Sequence, residues 1–388
     1  GAMNYKDMPV AAGLSLISWA LIVLEGDQAP SRRVWILTVV AASLGAFIAL
    51  GTRAGAIALV AALIGATAGI QLLQALRTKN FSPFIRSGLL GVGAITLAGL
   101  GLFATNPIAR IDIVQWMRDS ISVSSSYIWI GLVRTAGQDL PSDQLPWWYA
   151  PIWLLAQLPV LTTLAVIGGV ITLVTVAFRG YVSGIDRRDI GRMSPLIIQG
   201  WLLPVVIIVT GAVLYDGVRH LSFALPGILA LAALPIAAIQ QHGSATAIST
   251  RPSERIVVIA SIVVIAASAF ATVRWFPYSY AFINPIAGAQ KDPRAWELDY
   301  WGLTTREGVR RLRADGLDPI AVAPAPETGR PFSVVNGETA NAATQATGIP
   351  HGVYFFRRWD AVFRQDWCTR TFTIERDRQI LGEGGTCP

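Results

Sequence analysis

The chain has 388 residues, of which 53% are hydrophobic and only 14% are charged, and its net charge is +7. A soluble domain carries about 25% charged residues, so the composition excludes an ordinary soluble protein and predicts a polytopic membrane protein. The basic excess does not indicate nucleic-acid binding, because Lys and Arg are scattered between apolar runs instead of forming a stripe with aromatic residues.

About eight apolar runs approach the roughly 20 residues that an α-helix needs to cross a bilayer. The second and third are joined only by "TR" at 52–53, which predicts a tight helical hairpin. Pro204 and Pro226 are expected to kink the helices that contain them. The predicted spans are residues 8–24, 34–51, 54–74, 87–105, 150–178, 195–214, 221–239 and 255–276.

The connecting loops predict the orientation of these spans. Arg and Lys concentrate in alternate short loops, and such loops face the cytoplasm. The N-terminus, Arg53, the loop 106–149, the "YDGVRH" turn and all residues after Phe276 are then expected outside the cell. The predicted location is the plasma (inner) membrane, with multiple passes. The basic loops are residues 25–33, 75–86, 179–194 and 240–255.

The outer loop 106–149 is more than a connector. Its segment "IDIVQWMRDSI" has apolar residues at helical spacing with charges between them, which predicts an amphipathic helix on the membrane surface. The loop closes on "QLPWWYAPIW", whose aromatic side chains are typical of the membrane–water interface. Stacking against a sugar is the alternative role for these aromatics, and anchoring is favoured over it.

The composition changes at residue 277. The segment 277–388 is polar, rich in Pro, Gly and Arg, and contains the β-favouring runs "IAVAP", "GVYFF" and "RTFTIER". "TREGVRRLRADG" predicts a helix that ends at Gly316. We therefore predict a transmembrane domain over 1–276 and a small extracytoplasmic α/β domain over 277–388.

The two cysteines, Cys368 and Cys387, both belong to this C-terminal segment. Neither lies in a CxxC or Cys/His pattern, so zinc binding is not favoured. An oxidising exterior favours a disulfide between them.

The stretch "LYDGVRHLSFALPG" puts Asp216, Arg219 and His220 into a very short turn between two apolar runs. Arg suits a phosphate, because its planar fork can donate two hydrogen bonds at once. The alternative is an arginine that reaches generic lipid headgroups. The crowding of the acid and the histidine into the same turn favours a specific phosphate site.

Two further polar clusters are expected at the outer surface. In "NYKDMP", Asp7 and Lys6 precede the first span, where an acid near a helix start is also explained by the helix dipole. The other cluster leaves the last span and combines carboxylates with aromatics, which suits a sugar and equally suits packing between tail and membrane domain. Its candidate residues are Tyr280, Asn284, Asp299 and Tyr300.

Five segments are informative in their order along the chain: "NYKDMPVAAGLSLISWALIV", "LGAFIALGTRAGAIALVAAL", "QLPWWYAPIWLL", "YDGVRHLSFALPGILALA" and "YSYAFINPIAG" followed by "ELDYWG". In this order they resemble the GT-C glycosyltransferases that use polyprenyl-phosphate sugars, the superfamily of protein O-mannosyltransferases and the lipid A aminoarabinose transferase. The resemblance implies an all-α, GT-C-like membrane fold and an inverting glycosyltransferase. It implies that Asp7 is a catalytic-site acid, that Arg219 and His220 hold the donor phosphate, and that Lys6 is a second phosphate contact.

The family places its catalytic acidic pair in the first outer loop. Residues 1–7 resemble the end of a later outer connection, so we expect the acidic pair and the preceding spans upstream. The resemblance implies a polyprenyl-phosphate-linked sugar as donor and a glycan, lipid or protein hydroxyl as acceptor. A divalent cation at Asp7 is an open possibility, and no nucleotide cofactor is expected.

The competing hypothesis is a non-catalytic membrane homologue, such as a lipid-phosphate-binding, scaffold or transport protein with an extracytoplasmic domain. The charges lie at the outer boundary and not at the bilayer midplane, which argues against transport. The sequence contains no G-x-S-x-G motif, which argues against a serine hydrolase of that kind.

Overall fold

The computed structural model describes residues 7–25, 29–53, 55–126, 131–182, 185–234, 250–300, 302–323, 351–355 and 368–387. The chain forms two compact units. The first comprises residues 1–129, 161–213 and 219–264, and the second comprises 130–160, 214–218 and 265–388. The second unit thus takes in 130–160 and 214–218, which the sequence grouped with the membrane domain.

Helices dominate the described residues. In chain order they are α1 Asp7–Leu24, α2 Arg32–Thr52, α3 Ala56–Thr78, α4 Ser82–Thr105, α5 Pro107–Ile111, α6 Ile113–Ser126, α7 Tyr149–Gln157, α8 Val160–Arg179, α9 Arg187–Arg192, α10 Ser194–Ile197, α11 Leu203–Val209, α12 Leu225–Leu231, α13 Thr250–Arg274 and α14 Thr305–Ala314. A π-helical turn, Ile198–Leu202, joins α10 to α11, and the 3₁₀ turn Arg219–Ala224 leads into α12.

Strands are short by comparison. They are β1 Leu132–Thr135, β2 Gln138–Pro141, β3 Tyr181–Val182, β4 Ile185–Asp186, β5 Ile320–Ala323, β6 His351–Phe355, β7 Thr369–Arg376 and β8 Gln379–Cys387.

Five described helices are long and apolar enough to cross a membrane, namely α1 to α4 and α8. They correspond to four of the predicted spans and to the second half of a fifth, 150–178. Pro159 divides that run into α7 and α8, because a proline removes a backbone donor and disfavours helix in the residue before it. The remaining three predicted spans contain shorter apolar helices: Ser194–Val209, Arg219–Leu231 and Ile259–Arg274. The protein is therefore membrane-associated, and the count of eight spans stays a prediction.

Helices α1 and α2 pack at an unusually close crossing. A Cβ atom at Gly45 would lie 2.5 Å from the carbonyl oxygen of Gly13, and a Cβ at Gly13 would clash equally with the Gly45 carbonyl. Small residues let helix backbones approach in a membrane, where apolar lipid tails give no hydrophobic drive for association. The glycine pair thereby fixes how α1 and α2 are aligned.

A buried polar network links α1 to the irregular helix of the first unit. Gln199, in the π-helical turn, is fully buried. Its amide oxygen accepts the Ser18 hydroxyl at 2.7 Å, and its nitrogen donates to the carbonyl of Phe223 at 2.8 Å. The widened π turn lets a polar side chain meet both partners, and such turns occur frequently at functional sites.

The amphipathic helix predicted in the outer loop is present as α6, preceded by the short α5. Asn106 caps α5 by accepting two backbone N–H groups, from Ile108 and Ala109. Large apolar side chains remain exposed on this pair of helices, including Ile111 at 87% and Val114 at 63%. Such a surface suits the headgroup boundary of a bilayer.

The second unit contains the β1–β2 hairpin, α7, α14 and a four-stranded sheet in the order β5-β6-β8-β7. Strands β5 and β6 pair in parallel, and the other two pairings are antiparallel. The three predicted strand runs and the helix ending near Gly316 are therefore present. Strand β8 was not predicted.

Glycines in β8 make room for aromatic rings. A Cβ at Gly382 would clash with the Tyr354 hydroxyl, and one at Gly384 would clash with the Phe372 ring. The ring of Tyr354 also covers Gly308 of α14, so one buried tyrosine lies between helix and sheet. This close packing explains why a glycine-rich segment forms the sheet's centre, where intrinsic strand propensity disfavours it.

Cys368 and Cys387 form a disulfide that joins the start of β7 to the end of β8. Their Cα atoms are 4.2 Å apart, and the neighbouring residues Thr369 and Thr386 face each other in the sheet. The bridge closes a loop over a separation of 19 residues. Such a loop length predicts a stabilisation of roughly 3 kcal/mol through the unfolded chain.

Enlarging Gly45 tests the helix crossing. We expect Gly45→Ala to lower the free energy of unfolding by about 1–3 kcal/mol, because the added methyl group forces the two backbones apart. The measurement is thermal or denaturant unfolding in detergent. Gly65→Ala on α3 is the matched control, since a Cβ there meets nothing within 4 Å. Equal stability of the two variants would contradict the close crossing.

Candidate functional site

Asp7 is the first residue of α1 and is buried, with a side chain only 3% exposed. One carboxylate oxygen accepts a hydrogen bond from Nε of Arg219 at 2.9 Å. The other oxygen lies 2.9 Å from Nη1 of Arg53. We call these three residues the Asp7–arginine cluster.

The alignment of α1 with α2 positions Arg53. The two helices cross at Gly13 and Gly45, and Arg53 follows the last residue of α2. Asp7 lies six residues before Gly13 on α1, and Arg53 lies eight residues after Gly45 on the antiparallel α2. Both residues are therefore at the same end of the helix pair. The crossing therefore brings an acid and a base together although 46 positions separate them in sequence.

A compact turn positions Arg219. It opens the 3₁₀ turn, where the Ser222 hydroxyl donates to the Arg219 carbonyl at 2.8 Å. Gln199 holds the end of the same turn through the carbonyl of Phe223. The turn is thus fixed to α1 twice, once by the Asp7 ion pair and once through Gln199 and Ser18.

The Asp7–arginine cluster carries a formal charge of +1, from two guanidinium groups and one carboxylate. The Arg219 side chain is 11% exposed and that of Arg53 is 36% exposed, so the cluster reaches the surface of the first unit on the Arg53 side. A guanidinium has five donors in a planar fork and pairs well with phosphate oxygens. The arrangement suits a singly charged anion such as a phosphodiester.

The other residues predicted for donor-phosphate binding, His220 and Lys6, and the possible substrate-binding residue Asp216 have different positions. His220 follows Arg219 in the same turn and is half-buried. Lys6 lies outside the described residues. Asp216 belongs to the second unit, where it is buried close to Tyr149 at the start of α7. Burial raises the pKa of Tyr149, and the negative charge of Asp216 raises that pKa further.

In the second unit, Asp299 is the centre of a dense hydrogen-bond network. Its carboxylate accepts the backbone N–H groups of Leu303 and Thr304, each at 2.9 Å. The hydroxyls of Thr304 and Tyr280 also donate to it. Burial raises the pKa of Asp299, although these hydrogen bonds act in the opposite direction. Tyr300 packs edge-on against Tyr280 with 5.1 Å between ring centroids.

Asn284 cross-links two backbone segments of the second unit. Its amide nitrogen donates to the carbonyls of Leu155 and Leu158 at 2.6 and 3.0 Å. Its oxygen accepts the N–H groups of Ile286 and Ala287 at 3.1 and 3.0 Å. These bonds use the full amide and favour a structural role, so sugar binding at Asn284 stays a prediction.

Sequence reasoning did not assign a role to Arg53 or Gln199. A signal for Arg53 was present, since an arginine on a predicted outer turn is unexpected under the positive-inside rule. Gln199 also stands out as an uncharged polar residue in an apolar helix, where burial without a partner would be costly. Among the described residues, no group of three His, Cys, Asp or Glu side chains is arranged to hold a metal ion.

Comparisons with protein-family models, with curated proteins and with solved structures returned no match. The functional interpretation therefore depends on the geometry and chemistry of the chain itself.

A double-mutant cycle on Asp7 and Arg219 measures how strongly the cluster is coupled. We expect Asp7→Asn to lower the free energy of unfolding by about 3–5 kcal/mol, because it leaves two arginines without their acid. Arg219→Gln should cost less once Asp7 is already replaced, and unfolding in detergent measures each variant. Asp139→Asn is the control, since its ion pair with Arg134 is more exposed. Strict additivity would contradict the ion pair.

A second test concerns Asp299. Asparagine offers a single acceptor oxygen where the carboxylate receives four donors, so Asp299→Asn leaves buried donors facing an amide N–H₂ group. We expect a loss of about 1–3 kcal/mol of stability for such an unsatisfied group. Unfolding of the full chain is the measurement, with exposed Asp315→Asn as control. Equal losses in the two variants would contradict the network.

Proposed function

We propose that the chain is a membrane glycosyltransferase that moves a sugar from a polyprenyl-phosphate donor to an acceptor hydroxyl at the outer face of the membrane. The observation that carries this proposal is the Asp7–arginine cluster. Its net charge of +1 matches the single negative charge of a phosphodiester linking lipid and sugar. Its location at the end of a bundle of long apolar helices suits a ligand whose lipid tail remains in the bilayer.

In the proposed reaction, the acceptor oxygen attacks the anomeric carbon while the bond from that carbon to the phosphate oxygen breaks. The electron pair of the broken bond leaves with the polyprenyl phosphate, whose charge rises from −1 to −2. Arg219 and Arg53 stabilise this added charge, and such preorganised electrostatic stabilisation is usually the largest catalytic term. Attack from the face opposite the phosphate inverts the anomeric centre.

The acceptor proton must pass to a base. Both oxygens of Asp7 are held by arginines, which suits Asp7 for fixing the two guanidinium groups better than for accepting a proton. We therefore assign the base to another carboxylate. The same ion pairs disfavour a divalent cation at Asp7, because the two arginines already supply its positive charge.

The second candidate is a lipid-phosphate-binding protein without transfer activity. The engagement of Asp7 by both arginines also favours this function, because binding requires the cluster and no base. The two proposals share the ligand and differ in whether the sugar leaves the phosphate.

The test combines binding and transfer with the full chain in membranes. Radiolabelled polyprenyl-phosphate sugars serve as donors, and polyprenyl phosphate without sugar serves as the binding probe. We expect Arg219→Ala to weaken binding by roughly 10- to 100-fold, since a charged hydrogen bond contributes about 1.5–3 kcal/mol. Arg219→Lys should recover part of the affinity, because it keeps the charge but not the fork.

Arg179→Ala is the matched control, because it removes an exposed arginine at the end of α8. Transfer by the unmodified chain supports the enzyme, and binding without transfer supports the second candidate. Equal affinity of the Arg219→Ala variant and the unmodified chain would overturn both.

A further inference from the structure

Four polar side chains are buried toward the opposite end of the first unit from Asp7. They are Glu25 directly after α1, Gln71 of α3, Ser87 of α4 and Ser194 at the start of α10. Their exposed fractions are 8%, 1%, 1% and 5%, respectively. The 18 residues of α1 separate Glu25 from Asp7 by about 27 Å.

Contacts between the helices place these residues at a similar height along the helix axes of the first unit. A Cβ at Gly91 of α4 would touch Ile64 of α3 at 2.6 Å, and the two helices run antiparallel through a short connection. Toward the connection between the helices, Ser87 lies one turn beyond this contact on α4 and Gln71 about two turns beyond it on α3, which brings the two residues to a similar height in the pair. Both belong to the buried faces of their helices.

The same reasoning places α10 and α1 beside this pair. A Cβ at Gly191 would lie 2.9 Å from the Gln74 amide nitrogen, and Ser194 and Gln71 are each one turn from that contact. Ser18 of α1 donates a hydrogen bond to Gln199, which follows Ser194 in the chain. The chain then continues to Arg219, which pairs with Asp7 at the start of α1. Ser194 therefore lies toward the other end of α1, where Glu25 follows Ser18 by about two turns.

These buried groups have unused hydrogen-bonding capacity. Within the described part of the chain, no partner lies in reach of Glu25 Oε2, of either amide atom of Gln71, or of the hydroxyls of Ser87 and Ser194. Buried polar atoms in native proteins are almost always hydrogen-bonded, and leaving one unsatisfied costs about 1–3 kcal/mol. Their concentration on four different elements therefore indicates a ligand site.

The chemistry of the site selects its ligand. The amide and the hydroxyls both donate and accept, as water does, and a buried water molecule needs two to four such partners. Among charged neighbours, Arg86 of α4 donates to the Leu24 carbonyl at 3.5 Å, and Arg192 of α9 acts electrostatically on Glu25. Two arginines disfavour a metal cation.

Glu25 is the acidic member of the site. Burial raises the pKa of its carboxyl group to about 7 from an ordinary value of 4.5, although Arg192 acts in the lowering direction. The side chains that α3 and α10 contribute are neutral, and Arg32 and Arg33 at the start of α2 are exposed.

We propose that Glu25, Gln71, Ser87 and Ser194 form a buried proton-binding site, in which Glu25 carries the proton and the other three bind the water molecules that solvate it. The site is independent of the Asp7–arginine cluster and of the proposed transfer reaction.

Infrared spectroscopy of the full chain in lipid nanodiscs tests this site, because a protonated carboxyl group absorbs apart from a carboxylate. We expect a carboxyl band that titrates near pH 7, that disappears in Glu25→Gln and that remains in Glu375→Gln, which removes an exposed carboxyl. Burial also raises the pKa of Asp299, so the measurement is the difference between the spectra of the unmodified chain and of Glu25→Gln. A difference that contains no carboxyl band titrating near pH 7 would overturn the proposal.

Stability should follow the same titration. The folded chain keeps the Glu25 proton between pH 4.5 and about 7, where the unfolded chain releases it. The stabilisation is therefore complete below pH 4.5 and is lost as the pH rises toward 7. We expect the unfolding temperature to fall over this window in the unmodified chain, and Glu25→Gln to remove that part of the fall. An unchanged profile in the variant would contradict the assignment.

Gln71→Leu tests the solvating residues without removing the acid. We expect the infrared midpoint of Glu25 to shift upward, because the charged form loses hydrogen-bonding support. Thr78→Val, at an exposed position near the end of the same helix, should leave the midpoint unchanged. A midpoint that Gln71→Leu does not move would show that Glu25 titrates without this cluster and would overturn the site.

Discussion

The close crossing of α1 and α2 is the contact on which the first unit depends. Lipid tails are as apolar as leucine, so packing at Gly13 and Gly45 must hold these helices together where burial of apolar surface provides little drive. Once the crossing is set, its alignment decides that Asp7 meets Arg53. The Gln199 network then fixes the 3₁₀ turn to the same helix, and Arg219 completes the cluster.

The sequence predicted the parts of the fold that depend on local pattern. Long apolar runs correspond to α1 through α4, and the alternation of charged and apolar residues in "IDIVQWMRDSI" corresponds to α6. Pro159 could have been used to divide the run 150–178 and was not. Strand β8 could not be predicted from intrinsic strand propensity, because its glycines disfavour a strand. They are explained only by the rings of Tyr354 and Phe372 that cover them.

For the candidate site, the sequence identified Asp7 and Arg219 as residues of interest but could not pair them. Their separation of 212 positions leaves no local signature, and the ion pair depends on helix packing. The hydrogen bonds of Gln199 were equally out of reach, because its partners lie on α1 and in the 3₁₀ turn, far away in sequence. The proposed site of Glu25, Gln71, Ser87 and Ser194 likewise draws on four elements that are distant in sequence.

The strand order β5-β6-β8-β7 has a consequence for how the second unit is made. Strand β8 is the last of the four in the chain but lies inside the sheet, between β6 and β7. In the described structure, β7 pairs only with β8, so it gains a neighbour only when the chain from Gln379 onward has been synthesised. The sheet therefore assembles after translation of this region is complete, and an interrupted chain yields a β5–β6 pair with an open edge that invites pairing with other molecules.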